Sequence, residues 1–417
     1  MSQPAESSQA VRTALWILTA VAFVAAVAMV VRTLAVNYTT DLTAPWGTFW
    51  DFRDAGYFPV HAVLDRLVPY DVGGYLAAYP VAQEFPLLPP TYVALHAPFV
   101  IADLKTASLV MFALNLIGIV LLAGWSLSLG RFRVTPIRVL AVATLVVIST
   151  GGRNLLLSGQ ASLVFTAATY LALTASRETV GALGVFIALV KPSFGLPATV
   201  LVAAAGQWRR AVFGAGVAAI VSLFLMIPFV GWAGGVRSLL DILRANSLYT
   251  AASPGVDLAT STGRVDAAAA VANVFNVVPP TIVEIGLLLA VLGASAWVLF
   301  RRRFVLPIGD YGDAAIVLVS LTVTTGMYHS VYDLVILVLP AILLTRRDFA
   351  GGRTSPWLRW SILALIGVAA FNPFKVDSLV RLWNGPQSVV DVLGPGATAM
   401  AVLIATVLAA VVVLRIP

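Results

Sequence analysis

Two carboxylates three residues apart, Asp51 and Asp54, stand in the aromatic stretch WGTFWDFRDAGY that runs from Trp46 to Tyr57. If this piece is helical, the spacing puts both on one face. A carboxylate there can accept the proton of an attacking hydroxyl. The same pair also reads as solvated loop acids beside an interfacial tryptophan belt, with Arg53 keeping them ionised. His329 is one of three histidines, and Asp333 follows it by one helical turn in GMYHSVYD. A carboxylate at that distance orients an imidazole and sets its tautomer. With Tyr328 and Asp333, His329 forms either a capping network or a contact for a phosphate or an acceptor sugar. Lys191 interrupts a long apolar run just before Pro192. It either meets an anion such as a phosphate or snorkels to water. Arg153, near Asn154 and Gln160, carries the same two readings. Arg264, two residues before Asp266, is a further phosphate or sugar contact. Glu84 adds another acid, and Trp46, Trp50 and Tyr57 offer flat apolar faces to sugar rings.

The elements that must position these groups are membrane helices. The chain has 417 residues, 60% of them hydrophobic and only 11% charged, with mean hydropathy +0.94. A soluble domain carries about 25% charged residues, so a water-soluble fold is excluded, and with it a soluble nucleic-acid or peptide-binding module. Apolar runs near the length of about 20 residues that a spanning helix needs recur from end to end. Cysteine is absent, which rules out disulfides and thiolate chemistry.

Twelve spans are expected, beginning with a retained helix at 14–36 and ending at 391–415. The proline-bounded stretch 85–101 is read as interfacial or re-entrant, because Pro86, Pro89, Pro90 and Pro98 would break a regular helix. Charge supports that register. One face collects fifteen of the 26 basic residues, including Arg131, Arg209, Arg302 and Arg346, but only five of the 19 acidic ones. Short basic links stay cytoplasmic, so the long segments 37–104, 231–280 and 373–390 are placed outside. Backbone breaks at 151–154, 158–160 and 191–192 are tolerated at membrane depth only where protein or a water-filled cavity satisfies them, and they are expected to line a shared cavity. No phosphate-binding glycine loop or HExxH motif occurs, and no tight acidic cluster compels a divalent ion, so neither metal nor cofactor is expected.

The order of several short motifs resembles a known family. Asp51-Phe52, Ala62-Val63-Leu64-Asp65, Pro69-Tyr70-Asp71 and Phe85-Pro86-Leu87-Leu88-Pro89-Pro90 occur in sequence in the first outer segment. They are followed by Ser158-Gly159-Gln160-Ala161, Ala188-Leu189-Val190-Lys191-Pro192 and Gln207-Trp208-Arg209-Arg210. This series is similar to the pattern of polyprenol-phosphate-dependent membrane glycosyltransferases of glycosyltransferase family 87. Arg66 stands where the pattern has glycine, and Ala161-Ser162 where it ends in asparagine.

The resemblance implies a GT-C bundle of about twelve transmembrane helices, all-α and polytopic, with interfacial helices in the first outer segment. It implies one membrane-embedded domain over 1–417 in a plasma membrane, facing the extracytoplasmic side. The implied reaction is inverting transfer of mannose or arabinofuranose from a polyprenyl-phosphate donor to a glycolipid or glycan. Asp51 matches the family's catalytic aspartate, Asp54 is the alternative base, and His329 resembles a histidine near the active site. Lys191, Arg153 and Arg264 are expected at the donor phosphate. Trp50, Tyr57, Glu84, Gln160, Tyr328 and Asp333 are expected at the acceptor or sugar. Membrane lipids are the expected surroundings, with no nucleic acid and a monomeric state. The broken helices and Lys191 also fit a transporter or flippase of a lipid-linked saccharide.

Overall fold

The computed structural model describes residues 4–37, 49–302 apart from 254, 260 and 262, 312–372 and 394–416. Trp46, Arg303, Asp310 and the expected outer segment 373–390 lie outside these. Every regular element among the described residues is helical. Helix α1 (Pro4–Asn37) precedes a helical turn of π type at Phe52–Tyr57, followed by three short helices: α2 (Phe58–Leu64), α3 (Val72–Ala78) and α4 (Pro90–His96). A 3₁₀ turn at Ala97–Ile101 leads into α5 (Leu104–Leu129), α6 (Pro136–Ile148), α7 (Thr150–Ser158) and α8 (Ser162–Thr174). Next come α9 (Glu178–Leu189), α10 (Pro192–Ala204), α11 (Trp208–Trp232), α12 (Val236–Ala251) and α13 (Ala267–Phe275). The series ends with α14 (Thr281–Arg302), α15 (Gly312–Thr325), a 3₁₀ helix at Val331–Leu337, α16 (Val338–Thr345), α17 (Pro356–Ala370) and α18 (Pro395–Arg415).

Five of these, α1, α5, α11, α14 and α18, are long and apolar enough to cross a bilayer, and α6 with α7 makes a sixth if the bent pair counts as one span. The chain is therefore an all-α, multi-pass membrane protein. The sequence predicts twelve spans, and the shortfall is one of length. Helices α8, α9, α10, α15 and α17 have 12 to 15 residues. At 1.5 Å per residue they reach only about 18–23 Å against about 30 Å of hydrocarbon. The segment 85–101 forms the short α4 and its 3₁₀ extension, in keeping with a piece that does not cross.

The helix breaks differ in one place from the sequence expectation. Gly151 and Gly152 do not interrupt a helix but lie inside α7. The break falls at Ser149, where α7 turns 74° away from α6. Ser149 caps the new helix, its Oγ accepting the Gly152 N–H at 3.0 Å. Gly152 is what permits the bend, since a Cβ there would stand 1.9 Å from the Val146 carbonyl oxygen. The other two breaks fall where the pattern predicts. Gly159 ends α7 in the left-handed region at φ +71°, and Lys191, extended, leads into α10 with Pro192 in its first turn.

Polar contacts group the helix ends. Arg210 at the start of α11 donates to the Ala172 and Ala175 carbonyls at the end of α8, at 2.7 and 3.0 Å. Arg346 after α16 pairs with buried Asp313 at the start of α15 at 2.7 Å, and with Asp348 at 2.6 Å. Gly152→Ala is expected to lower thermal stability in detergent by several degrees, because the new methyl collides with backbone that cannot rotate away. An unchanged unfolding midpoint would contradict that origin of the bend.

Candidate active site at the helix breaks

Three helix junctions meet at one carboxylate. Asp333, 1% exposed in the first turn of the 3₁₀ helix, collects one side chain each from the α7–α8, α9–α10 and α15–3₁₀ junctions. Its Oδ1 accepts from Ser162 Oγ at 2.6 Å and from Lys191 Nζ at 2.7 Å, and its Oδ2 faces His329 Nδ1 at 2.8 Å. Ser330 and Asp333 form a reciprocal capping box that fixes this turn. His329 Nε2 faces the Ser193 carbonyl at 2.9 Å. Both ring nitrogens thus face oxygen atoms, which fixes the plane of the ring. Lys191 also lies 3.3 Å from Ser162 Oγ and over the rings of Tyr332 and Phe194 at 4.9 and 5.1 Å.

The first outer segment supplies the facing wall. Phe49 hydrogen-bonds from its N–H to the Leu157 carbonyl at 2.9 Å, which ties the segment to α7. A Cβ on Gly159 would approach Phe52 Cβ to 2.7 Å, so the absence of a side chain lets the π-helical turn close onto the α7–α8 break. This sets Asp51 beside Gln160. One Asp51 oxygen accepts a long bond from Gln83 at 3.4 Å. The other is buried with no hydrogen-bond partner among the described residues, as is Gln160 Oε1. Burial pushes the Asp51 carboxyl up to about 6, and the amides of Gln160 and Gln83 and the charge on Lys191 offset only part of that. Asp51 also acts electrostatically on Tyr92, Tyr328 and Tyr332, which places all of them around one site.

Asp54 and Asp51 both meet the segment at 82–83, Asp54 through the Ala82 N–H and Asp51 through the Gln83 amide, but their partners differ. Asp54 is fully buried, paired with both Arg53 nitrogens that face it, and receives the Ala82 N–H at 3.3 Å. The Tyr75 hydroxyl donates to its carbonyl at 2.7 Å. Burial raises the Asp54 carboxyl too, against the opposing pull of Arg53. Arg53 therefore serves Asp54 alone.

The remaining expected residues fall in three places. Arg264, 2% exposed, donates to Asp266, Glu284 and the Val256 carbonyl at 2.7–2.8 Å and stacks 5.2 Å from Tyr328. An isolated antiparallel bridge joins it to Ser330, with Val265 N–H on the His329 carbonyl at 3.0 Å. Tyr328 donates to the Gly255 carbonyl at 3.1 Å. Tyr57 turns outward from Asp51, its hydroxyl on the Ala102 carbonyl at 2.9 Å. Trp50 and Arg153 are half-buried on the flanking turns, and Glu84 is buried in the segment that carries Gln83. Ser162, Gln83, Tyr92 and Tyr332 join the site without having been singled out by spacing. The signal for Ser162 was present in SGQAS, immediately beside Gln160. Among the described residues no three His, Asp or Glu side chains gather as a metal site.

A buried carboxylate left without a cation, facing a lysine–aspartate–histidine cluster inside a helical bundle, is the arrangement of a membrane-embedded enzyme. The comparison with protein families makes this specific. The profile of glycosyltransferase family 87 matches residues 87–328, more than half of the chain. The protein belongs to that family and is a glycosyltransferase, which sets the transporter reading aside. The match includes Gln160, Lys191 and Arg264. It begins after Asp51 and Asp54 and ends one residue before His329. No curated protein and no solved structure matches the chain.

Asp54→Asn is expected to cost about 3–5 kcal/mol by leaving Arg53 buried and unpaired. The double replacement Arg53→Met, Asp54→Asn should recover most of it, as read by thermal unfolding of the purified protein. Equal losses in the single and double variants would show that the ion pair does not carry the effect.

Proposed function

We propose that the protein transfers mannose or arabinofuranose, with inversion, from a polyprenyl-phosphate donor to a glycolipid or glycan on the extracytoplasmic face of the plasma membrane. The observation that carries this reading is the state of Asp51. It is the carboxylate of the site that no cation contacts, and its free oxygen and that of Gln160 are buried acceptors side by side. Two such oxygens call for donors, and sugar hydroxyls are donors. An acceptor hydroxyl bound there hands its proton to Asp51 as it attacks the anomeric carbon from the side opposite the phosphate. The phosphate leaves with the donor's bonding pair. Lys191 retains an N–H beyond its bonds to Asp333 and Ser162, and with Arg153 it meets the charge that develops on the phosphate. His329 and Asp333 hold Lys191 in place and shape the sugar pocket with Tyr328, Trp50 and Glu84. Arg264, its charge met by Asp266 and Glu284, contributes by fixing the strand that carries His329.

The twelve-span register, with one catalytic domain over 1–417, belongs to the same proposal. It is supported by the grouping of contacts: Asp51, Gln160, Lys191 and His329 come from junctions assigned to one face, and Arg210, Asp313 and Arg346 from junctions assigned to the other. The short helices cross as pieces of a bundle around the cavity. The chain acts as a monomer on lipid-borne substrates and needs no nucleic acid.

Asp51→Asn is expected to lower kcat/KM with a polyprenyl-phosphate sugar by about 10²–10⁴-fold, the usual contribution of a general base. The unmodified enzyme should lose activity as pH falls through about 6, since the base works only when ionised. Stability should move the opposite way. A carboxyl whose folded pKa lies above its unfolded value destabilises the fold above about pH 6 and less so as pH falls toward 4. Asp51→Asn should therefore raise the unfolding temperature at neutral pH while abolishing turnover. Full activity in this variant would overturn the assignment. Because the chain has no cysteine, single cysteines at 65 and 302 report orientation directly, and we expect an impermeant maleimide added to intact cells to label only the first.

A further inference from the structure

The turn of π type that follows Asp51, Phe52–Tyr57, is buried along its whole length. It is a rare conformation that recurs at functional sites. Gly159 stands behind Phe52, and Tyr75 and Ala82 hold Asp54. A further contact comes from α4, through a histidine that the proposed reaction leaves without a role. His96 is 1% exposed. Its Nδ1 faces the Tyr92 carbonyl at 2.9 Å, one helical turn back, which fixes the plane of the ring. Burial holds the imidazole down at about 4, so it is uncharged near neutral pH and acts through its shape.

That shape meets the turn at two points. At Gly56 a Cβ would stand 2.8 Å from His96 Cδ2 and 3.2 Å from Nε2, so the ring is seated directly on the backbone. At Phe52 the two ring centroids are 6.2 Å apart, and Phe99 closes edge-on against Phe52 at 5.1 Å. Tyr92, on the same face of α4, lies 4.6 Å from the His96 ring and within electrostatic reach of Asp51. One short helix thus backs both the turn and the carboxylate that precedes it. The Asp51 side chain is itself held loosely, by the 3.4 Å bond from Gln83. The charged and titratable groups around it are Lys191, Asp54, Tyr92, Tyr328 and Tyr332. The backbone of the turn therefore decides where its oxygens lie, and Phe52 is its immediate neighbour in the chain.

Resting on the assignment of Asp51 as the base, we propose that His96 is a positioning residue: its ring, wedged against Gly56 and Phe52, fixes the turn in the place that keeps Asp51 out of water. Without the wedge the turn relaxes into the space, water reaches the carboxylate, and its proton affinity falls toward the ordinary value. The test uses the purified full chain in nanodiscs, with His96→Ala, which removes the ring, and His96→Phe, which keeps one. The first readout needs no activity. Asp51→Asn is expected to raise the unfolding temperature of the unmodified protein at neutral pH. This rise should shrink by at least half in the His96→Ala background and survive with His96→Phe. The second readout is the pH profile of kcat/KM with a polyprenyl-phosphate sugar. His96→Ala should move its acid limb downward from about 6 by about one unit. It should also lower kcat by about 10–10²-fold, the effect of a misplaced group, with KM changed less than twofold. His96→Phe should stay within about threefold of the unmodified enzyme in both constants. Should His96→Ala fail to fold, Gly56→Ala, whose methyl meets the ring and displaces the turn, takes its place in both measurements. The inference is overturned if the Asp51→Asn rise and the acid limb are the same with and without the ring, or if His96→Phe loses as much as His96→Ala. It is overturned as well if Asp51→Asn produces no rise in the unmodified protein. If the unmodified protein transfers no sugar while the rise still depends on the ring, the proposed reaction falls and the wedge stands.

Discussion

The architecture depends on the cost of a charge inside a membrane protein. A lysine buried among apolar helices needs a counter-charge, and Asp333 is the carboxylate that meets Lys191. Removing either partner would leave the other buried and uncompensated, at several kcal/mol. The two residues come from breaks far apart in the chain, and Ser162 comes from a third. The pairing therefore does more than neutralise. It draws the ends of α7, α9 and α15 and the starts of α8, α10 and the 3₁₀ helix to one place, and so gathers into one polar cluster irregular backbone that lipid could not accommodate.

Asp333, Asp54 and Asp51 are all buried in this part of the protein, and their partners differ. Asp333 is held ionised by two nitrogen partners, and Asp54 is locked by Arg53 and a backbone N–H. Neither can take up a proton without breaking a buried ion pair. Asp51 has only a long amide contact and a distant lysine, and burial raises its proton affinity toward neutrality. A group that exchanges a proton during a reaction has to be the one whose two protonation states lie closest in energy. The division follows from partners, since all three side chains are of the same chemical type.

Much of this was legible in the residues, but unevenly. Apolar runs located the helices, and prolines with glycines located two of the three breaks, because those features act locally through backbone geometry. Lys191 and Asp333 were each conspicuous as charges in apolar surroundings, yet they stand 142 residues apart, and no local rule pairs them. Asp51 and Asp54 were expected on one face because three-residue spacing assumes an α-helix. Spacing does not say which of the two holds the cation: Arg53 goes to Asp54, and Asp51 is left with an amide. Arg264 was read as a phosphate or sugar contact, and its partner Glu284, twenty residues on in α14, has no local signal. Gly151 and Gly152 read as a break because glycine is a poor helix former, whereas here Gly152 serves as the cap partner of Ser149 and the point of closest approach to α6.

The cations elsewhere in the bundle have a different setting. Arg210 donates two of its N–H groups to the helix-end carbonyls of α8, its Nε being buried without a partner among the described residues, and Arg346 pairs with Asp313 and Asp348. These are cations closing helix termini, where carbonyls lack intrahelical partners. Their guanidinium groups are directed at protein acceptors fixed by the fold. Near the lysine–aspartate–histidine cluster acceptor oxygens are left over, on Asp51 and Gln160, both buried. Evolution tolerates such unmet acceptors when a ligand meets them, since an empty site is then less stable than an occupied one. On the proposed reading the substrate meets the leftover acceptors of Asp51 and Gln160, beside the helix breaks clustered around Asp333.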